Sequence, residues 1–185
     1  MKPEWSSLRS NPRIVDLPDD DAAAFSLYQQ WLYSKQLPIL SDEPDEPLSE
    51  GYHSLAYAYV LGERLMDRDF KNAIADAYVL YARGTPPGKR YYPSNEEIRI
   101  IYDGTTEHAP IRQLLIDIWT CRGKSEWMDG DTNLPKDFLI EVTKALLKAR
   151  PSLENVSRPW KNRHEQYQEK DLSIQKDDAD TGALV

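Results

Sequence analysis

Residues 13–40 read RIVDLPDDDAAAFSLYQQWLYSKQLPIL, and the spacing of their apolar positions changes twice. Residues 13–17 alternate weakly, carry the β-branched Ile14 and Val15, and stop at Pro18, which is the pattern of a short strand. Asp19, Asp20 and Asp21 follow. Carboxylates suit a helix start, where the first N–H groups lack partners and carry partial positive charge. Phe25, Tyr28 and Leu32 then share one helical face, and Ala24, Leu27 and Trp31 share the adjoining one. Together they make a wide apolar stripe for a helix of about four turns. QLPIL, closing at Leu40, suits an edge strand, since Pro38 removes a ladder donor. Two short strands, near 13–17 and 37–40, are therefore predicted on either side of an aromatic helix.

Beyond the acidic, proline-broken connector SDEPDEP at 41–47, the period stays helical. A helix over 51–66 turns Leu55, Ala58, Tyr59, Gly62, Leu65 and Met66 inward. Another, from near Asp69, repeats Phe70, Ala73, Ile74, Ala77, Tyr78 and Tyr81, and stops at Gly84. GTPPGKRYYP is a loop by its glycine and proline content. Ser94 or Asn95 caps a short helix that carries Ile98, Ile101 and Tyr102 and ends at Gly104. Pro110 opens the next, with Ile111, Leu114, Leu115, Ile118 and Trp119 inward and Gly123 at its end. A last helix over 135–150 turns Phe138, Val142, Ala145, Leu146 and Ala149 to the core. From about residue 157 the chain is polar and lacks the apolar residues for a core of its own. The pattern thus predicts an α+β fold, predominantly α, with two short strands and about six helices.

The order of these segments resembles the second half of a BTB/POZ domain of the divergent fungal type. Leu17, Pro18, Asp19–Asp21, Phe25 and the Trp31-Leu32-Tyr33 triplet fall as they do in that family. Tyr59, Gly62, Leu65, Phe70, Asn72 and Ala73 are similar to its next helical pair. Ile101, Tyr102, Thr105, Pro110 and Arg112 are similar to the helices that fungal members append. The resemblance spans 14–120. It implies a partial BTB/POZ-like domain over 1–84, a helical extension over 85–156 and a polar tail over 157–185. It further implies a non-catalytic adaptor or self-association module that works through a protein partner or a homo- or hetero-dimer. The strand pair and helical hairpin that open a complete BTB domain have no counterpart in the first twelve residues. The loop that contacts a cullin falls in that part of the family, so cullin recruitment is not expected. A regulatory fragment that competes with full-length BTB proteins is the alternative expectation, and a small unrecognised enzyme a remote one.

Composition narrows the partners. A net charge of −8 and a pI near 4.9 disfavour nucleic acid, which is held by clustered Lys and Arg. No apolar run approaches the ~20 residues that a membrane helix needs. One cysteine, Cys121, rules out an internal disulfide and fits a reducing, intracellular setting, cytoplasmic or nuclear.

The sequence carries no motif that points to a reaction. CRGKS at 121–125 lacks the preceding glycine and the strand–loop–helix context of a phosphate loop. Cys121 has no base placed for it, and His53, His108 and His164 are scattered. Neither a metal nor a cofactor is expected. Arg99, Arg112 and Arg122 are expected on helix surfaces in solvated ion pairs. The candidate site is a protein-interaction patch of Trp5, Leu8, Phe25, Tyr28, Trp31 and Tyr33, since contiguous exposed apolar surface marks docking and buried Trp and Tyr dominate interface energies.

Overall fold

The structure, a computed structural model, describes residues 20–37, 48–84, 90–150 and 164–168. Among them are α1 (Ala22–Ser34), α2 (Leu48–Arg64), α3 (Arg68–Arg83), α4 (Asn95–Gly104), α5 (Pro110–Arg122) and α6 (Lys136–Ala149). Single 3-10 turns lie at Ser125–Met128 and His164–Tyr167. Most of the starts follow from local chemistry. The Asp21 carboxylate accepts from the Ala24 N–H at 2.8 Å, and Asp67 does the same for Phe70 at 3.0 Å. Ser94 and Glu97 close a capping box on α4, with the Ser94 N–H donating to the Glu97 carboxylate at 2.6 Å. α5 begins at Pro110, whose missing N–H would have been unpartnered there.

α2 and α3 fold back on each other as a hairpin. Tyr52, near the start of α2, meets Tyr78 and Tyr81, near the end of α3, at ring separations of 4.9 and 5.3 Å. The turn between them is a Schellman closure: the Asp67 N–H reaches the Gly62 carbonyl, and the Met66 N–H reaches that of Glu63. α4 lies along α2 so closely that a Cβ at Gly104 would collide with the Val60 side chain. α5 and α6 complete the interior, where Phe138 meets Tyr102 and Trp119 edge-on at 5.4 and 5.3 Å. One apolar cluster runs from Ala24 and Trp31 to Phe138 and Val142.

The chain divides into two compact units, Met1–Lys148 and Ala149–Val185. The second is described at the 164–168 turn, where Tyr167 is exposed.

The α+β expectation is overturned: the described residues hold helices and turns and no strand. Leu37, where the second strand was predicted to begin, is in no strand. Lys35 takes a left-handed conformation (φ 54°) and closes α1 by donating its N–H to the Trp31 carbonyl. Leu37 is half-buried against the helical core, which accounts for an apolar residue there without a ladder. Residues 38–40, and the whole strand predicted at 13–17, lie outside the described residues.

Two helix ends also differ from the predicted pattern. α2 stops at Arg64, so Leu65 and Met66 leave the stripe and are 42% and 86% exposed. In α6 the core takes Phe138 and Val142 and half-buries Ala145, while Leu146 and Ala149 face outward.

Candidate functional site

α1 is the element that departs most from an ordinary surface helix. None of its thirteen residues, AAAFSLYQQWLYS, carries a charge. A helix packed on one side normally shows charged or polar residues on the other, and here Ser26, Gln29, Gln30 and Ser34 are the exposed polar ones. Its inner side holds Ala24 and Trp31, which are buried, and Leu27 and Tyr28, which are half-buried. Trp31 sits 5.3 Å from the Phe70 ring of α3, and Tyr28 meets the same ring edge-on at 4.9 Å. The Tyr28 and Trp31 rings stack on each other at 6.2 Å. The Lys35 ammonium lies 3.8 Å from the Trp31 centroid, and an ion pair from Arg64 to Asp20 at 2.7 Å ties down the entry to the helix. The aromatic stripe therefore finds its cover within the chain at Trp31, through Phe70.

The flank beyond Tyr28 finds less. Phe25 and Leu32, three residues before it and four after, are 37% and 45% exposed. Tyr28 itself lines a shallow depression of about 390 Å³ with Leu65, Met66, Asp67, Arg68 and Asp69. Its hydroxyl donates to the Asp67 carboxylate at 3.3 Å; burial first, then that acceptor's charge and hydrogen bond, push its pKa up from the ordinary tyrosine value. Phe25 and Leu32 thus flank Tyr28 on α1, and Tyr28 meets Leu65 and Met66 at the α2–α3 turn; these five are taken below as one face. Of the residues predicted to interact, Phe25 and Tyr28 fall on this face. Trp31 is a buried anchor beneath it, and Tyr33, 93% exposed, stands apart around the helix. Trp5 and Leu8 lie outside the described residues. Leu65 and Met66 were missed, because helical spacing assigned them to the core. The signal against that was Asp67 followed by Phe70 three residues on, a cap that ends one helix to start the next.

The polar interior is structural in geometry. Arg112, expected on the surface, is 8% exposed. Its guanidinium donates to the carbonyls of Tyr102 and Thr105 and to the Thr105 hydroxyl, and lies 4.3 Å from the Tyr102 ring. A cation at the C-terminal carbonyls of α4 meets the negative end of the helix dipole, so no carboxylate is needed to hold it. The Tyr102 hydroxyl donates to Glu141 at 2.9 Å; burial, then that bond, drives its pKa upward. Glu97, also buried, serves the α4 cap and lies 3.6 Å from His53. Arg99 is half-buried and paired with Asp131 at 2.8 Å, and that hydrogen bond holds the Asp131 carboxyl below its usual range. Arg122 is exposed, as expected.

A second concavity, an open groove of about 510 Å³, lies beside the α4 cap, where Tyr92 and Trp127 meet at 5.5 Å between Arg90 and Arg99. Asn95 straps its floor by donating to the carbonyls of Trp127 and Asp131. Cys121 is exposed at the end of α5. Among the described residues no group of three or more His, Cys, Asp or Glu could hold a metal ion, and no helix is long and apolar enough to cross a membrane.

No known family, curated protein or solved structure matches the chain. The likeness to BTB/POZ domains rests on the residues quoted for it above.

Proposed function

We propose that the chain is a non-catalytic protein–protein interaction module whose docking face is the Phe25, Tyr28, Leu32, Leu65 and Met66 surface. The observation that carries this is the uncharged α1, held by Trp31 on one side and presenting apolar side chains on the other. Exposed contiguous apolar surface costs solubility unless something binds it. Met66 suits such a face, since its unbranched thioether adapts to a partner's shape. The resemblance to BTB/POZ domains supports the adaptor form of the proposal, and the free thiol of Cys121 supports an intracellular setting for it.

Mass by light scattering, together with binding of a hydrophobic dye, tests it. A chain that self-associates, or a monomer that binds dye and loses that binding on Leu32→Glu, is the expected result. A monomer that binds no dye has no docking face and refutes the proposal.

A further inference from the structure

We infer that the open groove beside the start of α4 is a second docking site, and that its ligand is an uncharged, proline-rich peptide in the polyproline II conformation. The groove shares no residue with the α1 face, so the two stand or fall separately. Shape, hydrogen bonding and charge each point to this ligand.

Tyr92 and Trp127 have ring centroids 5.5 Å apart and planes tilted by 44°. Rings this close touch each other, and leave no slot in which a flat ring or a cation could be sandwiched. They offer a ridged wall, with Tyr91 also lining the groove. Puckered pyrrolidine rings pack on such a wall, and aromatic-lined grooves are what receive polyproline II segments. The wall is set before any ligand arrives. Trp119 backs Trp127 edge-on at 5.3 Å, and Asn95, 8% exposed, donates to the carbonyls of Trp127 and Asp131 at 3.0 and 2.7 Å. A preformed wall spares the cost of ordering it on binding.

The groove has donors to spare, while its acceptors are mostly used. Among the described residues the Tyr91 and Tyr92 hydroxyls, the Trp127 indole N–H and the Arg90 guanidinium make no hydrogen bond, and none of them is sealed from solvent. The Asp131 carboxylate already accepts from Arg99 and from the Asn133 N–H, and the two carbonyls accept from Asn95. Only the Glu96 carboxylate is an acceptor left over. An ordinary peptide brings an N–H with every C=O, whereas proline brings the C=O alone. Polyproline II also makes no internal hydrogen bonds, so its carbonyls are open to the donors of the wall. One turn of it, three residues, spans about 9 Å.

The charges of the groove cancel. Arg99 pairs with Asp131 at 2.8 Å, and Arg90 and Glu96 contribute one of each sign. The whole chain carries −8, so an acidic ligand meets repulsion that this neutral wall does not offset, and a basic one finds Glu96 alone. A neutral proline tract meets neither difficulty.

Titration of acetylated decaproline amide into the full chain, read at the indole N–H resonance of Trp127, tests the inference. A saturable shift below about 1 mM is expected, with the Trp31 resonance unmoved. Trp127→Ala and Tyr92→Ala are each expected to weaken binding at least about tenfold, and Leu32→Glu, on the α1 face, to change it less than about twofold. Raising salt from about 50 to about 500 mM should likewise change it less than about twofold, since no net charge is engaged. Trp127→Phe keeps the ring and removes the N–H; its weaker binding is expected even where an alanine variant fails to fold. No saturable shift overturns the inference, as does an equal shift from a glycine–serine peptide of the same length. Binding indifferent to both Tyr92→Ala and Trp127→Phe places the peptide elsewhere and overturns it too. Tighter binding of an alternating Glu-Pro decamer than of decaproline contradicts the neutral ligand.

Discussion

Replacing Trp31 by alanine should release α1 from the body of the protein. Trp31 is 5% exposed and is the largest buried side chain of α1, with Ala24 also buried and Leu27 and Tyr28 half-buried. Truncating a buried tryptophan costs about 3–5 kcal/mol, as lost transfer energy plus the cavity left beside Phe70. The Lys35 contact over the ring adds about 0.5–1 kcal/mol at an exposed site. The loss need not appear as global unfolding. The α2–α3–α4 core is closed by Tyr52, Phe70, Ile74, Tyr78 and Ile98 without Trp31, and elements with few buried contacts open below the global free energy. Hydrogen exchange read by mass spectrometry, peptide by peptide, should show 22–34 losing protection by a factor of about 100 or more, equivalent to 3 kcal/mol. Protection over 70–81 should change far less. Leu32→Ala, at 45% exposure, should stay within about 0.5 kcal/mol of the parent. Equal loss across the whole chain would show that α1 belongs to the main cooperative unit. No loss anywhere would show that Trp31 is not its anchor, and the description of the face would fall with it.

Arg112→Met should destabilise the protein by about 3 kcal/mol or more in urea, since it leaves the buried carbonyls of Tyr102 and Thr105 without donors; Arg112→Lys should recover only part, and a loss under about 1 kcal/mol would refute the capping role. Alkaline stability should fall as pH rises past about 10, because Tyr52, Tyr78 and Tyr102 titrate above the unfolded value: their contribution is complete below 10 and is lost above it, as the unfolded chain gives up protons first. Ultraviolet titration alongside circular dichroism checks this; tyrosines that all ionise together near 10 with the fold intact would contradict it. Met66→Gly should raise the unfolding free energy measured in urea by about 0.5 kcal/mol, the left-handed strain of φ 55° relieved, less the greater freedom of glycine in the unfolded chain. The same change should weaken docking, and a drop in stability would place Met66 in the core after all.

How far the sequence showed these features follows from their range. The α3 stripe was legible because five of its six predicted positions, Phe70, Ile74, Ala77, Tyr78 and Tyr81, are set by helical period alone and are buried. The helix starts at Asp21, Ser94 and Pro110 were legible because each signal acts within three residues. Arg112 was not, since its burial depends on how α5 approaches the end of α4, which no local spacing records. Met66 was hidden because the left-handed position of a Schellman turn is most often glycine. The strand expected from Leu37 failed because an apolar residue packed by a loop looks, in one dimension, like one packed by a strand. The candidate face was legible in part: the stripe of α1 was visible, but which flank stays open depends on where Phe70 docks.

The most direct test of the docking face is oxidative footprinting of the intact chain in dilute, monomeric solution, read at Met66, Phe25 and Leu32. Strong labelling at all three, with Trp31 protected beside them, is expected. Protection of Phe25, Leu32 and Met66 to the level of Trp31 would contradict the account, since a face already covered within the monomer has nothing to dock.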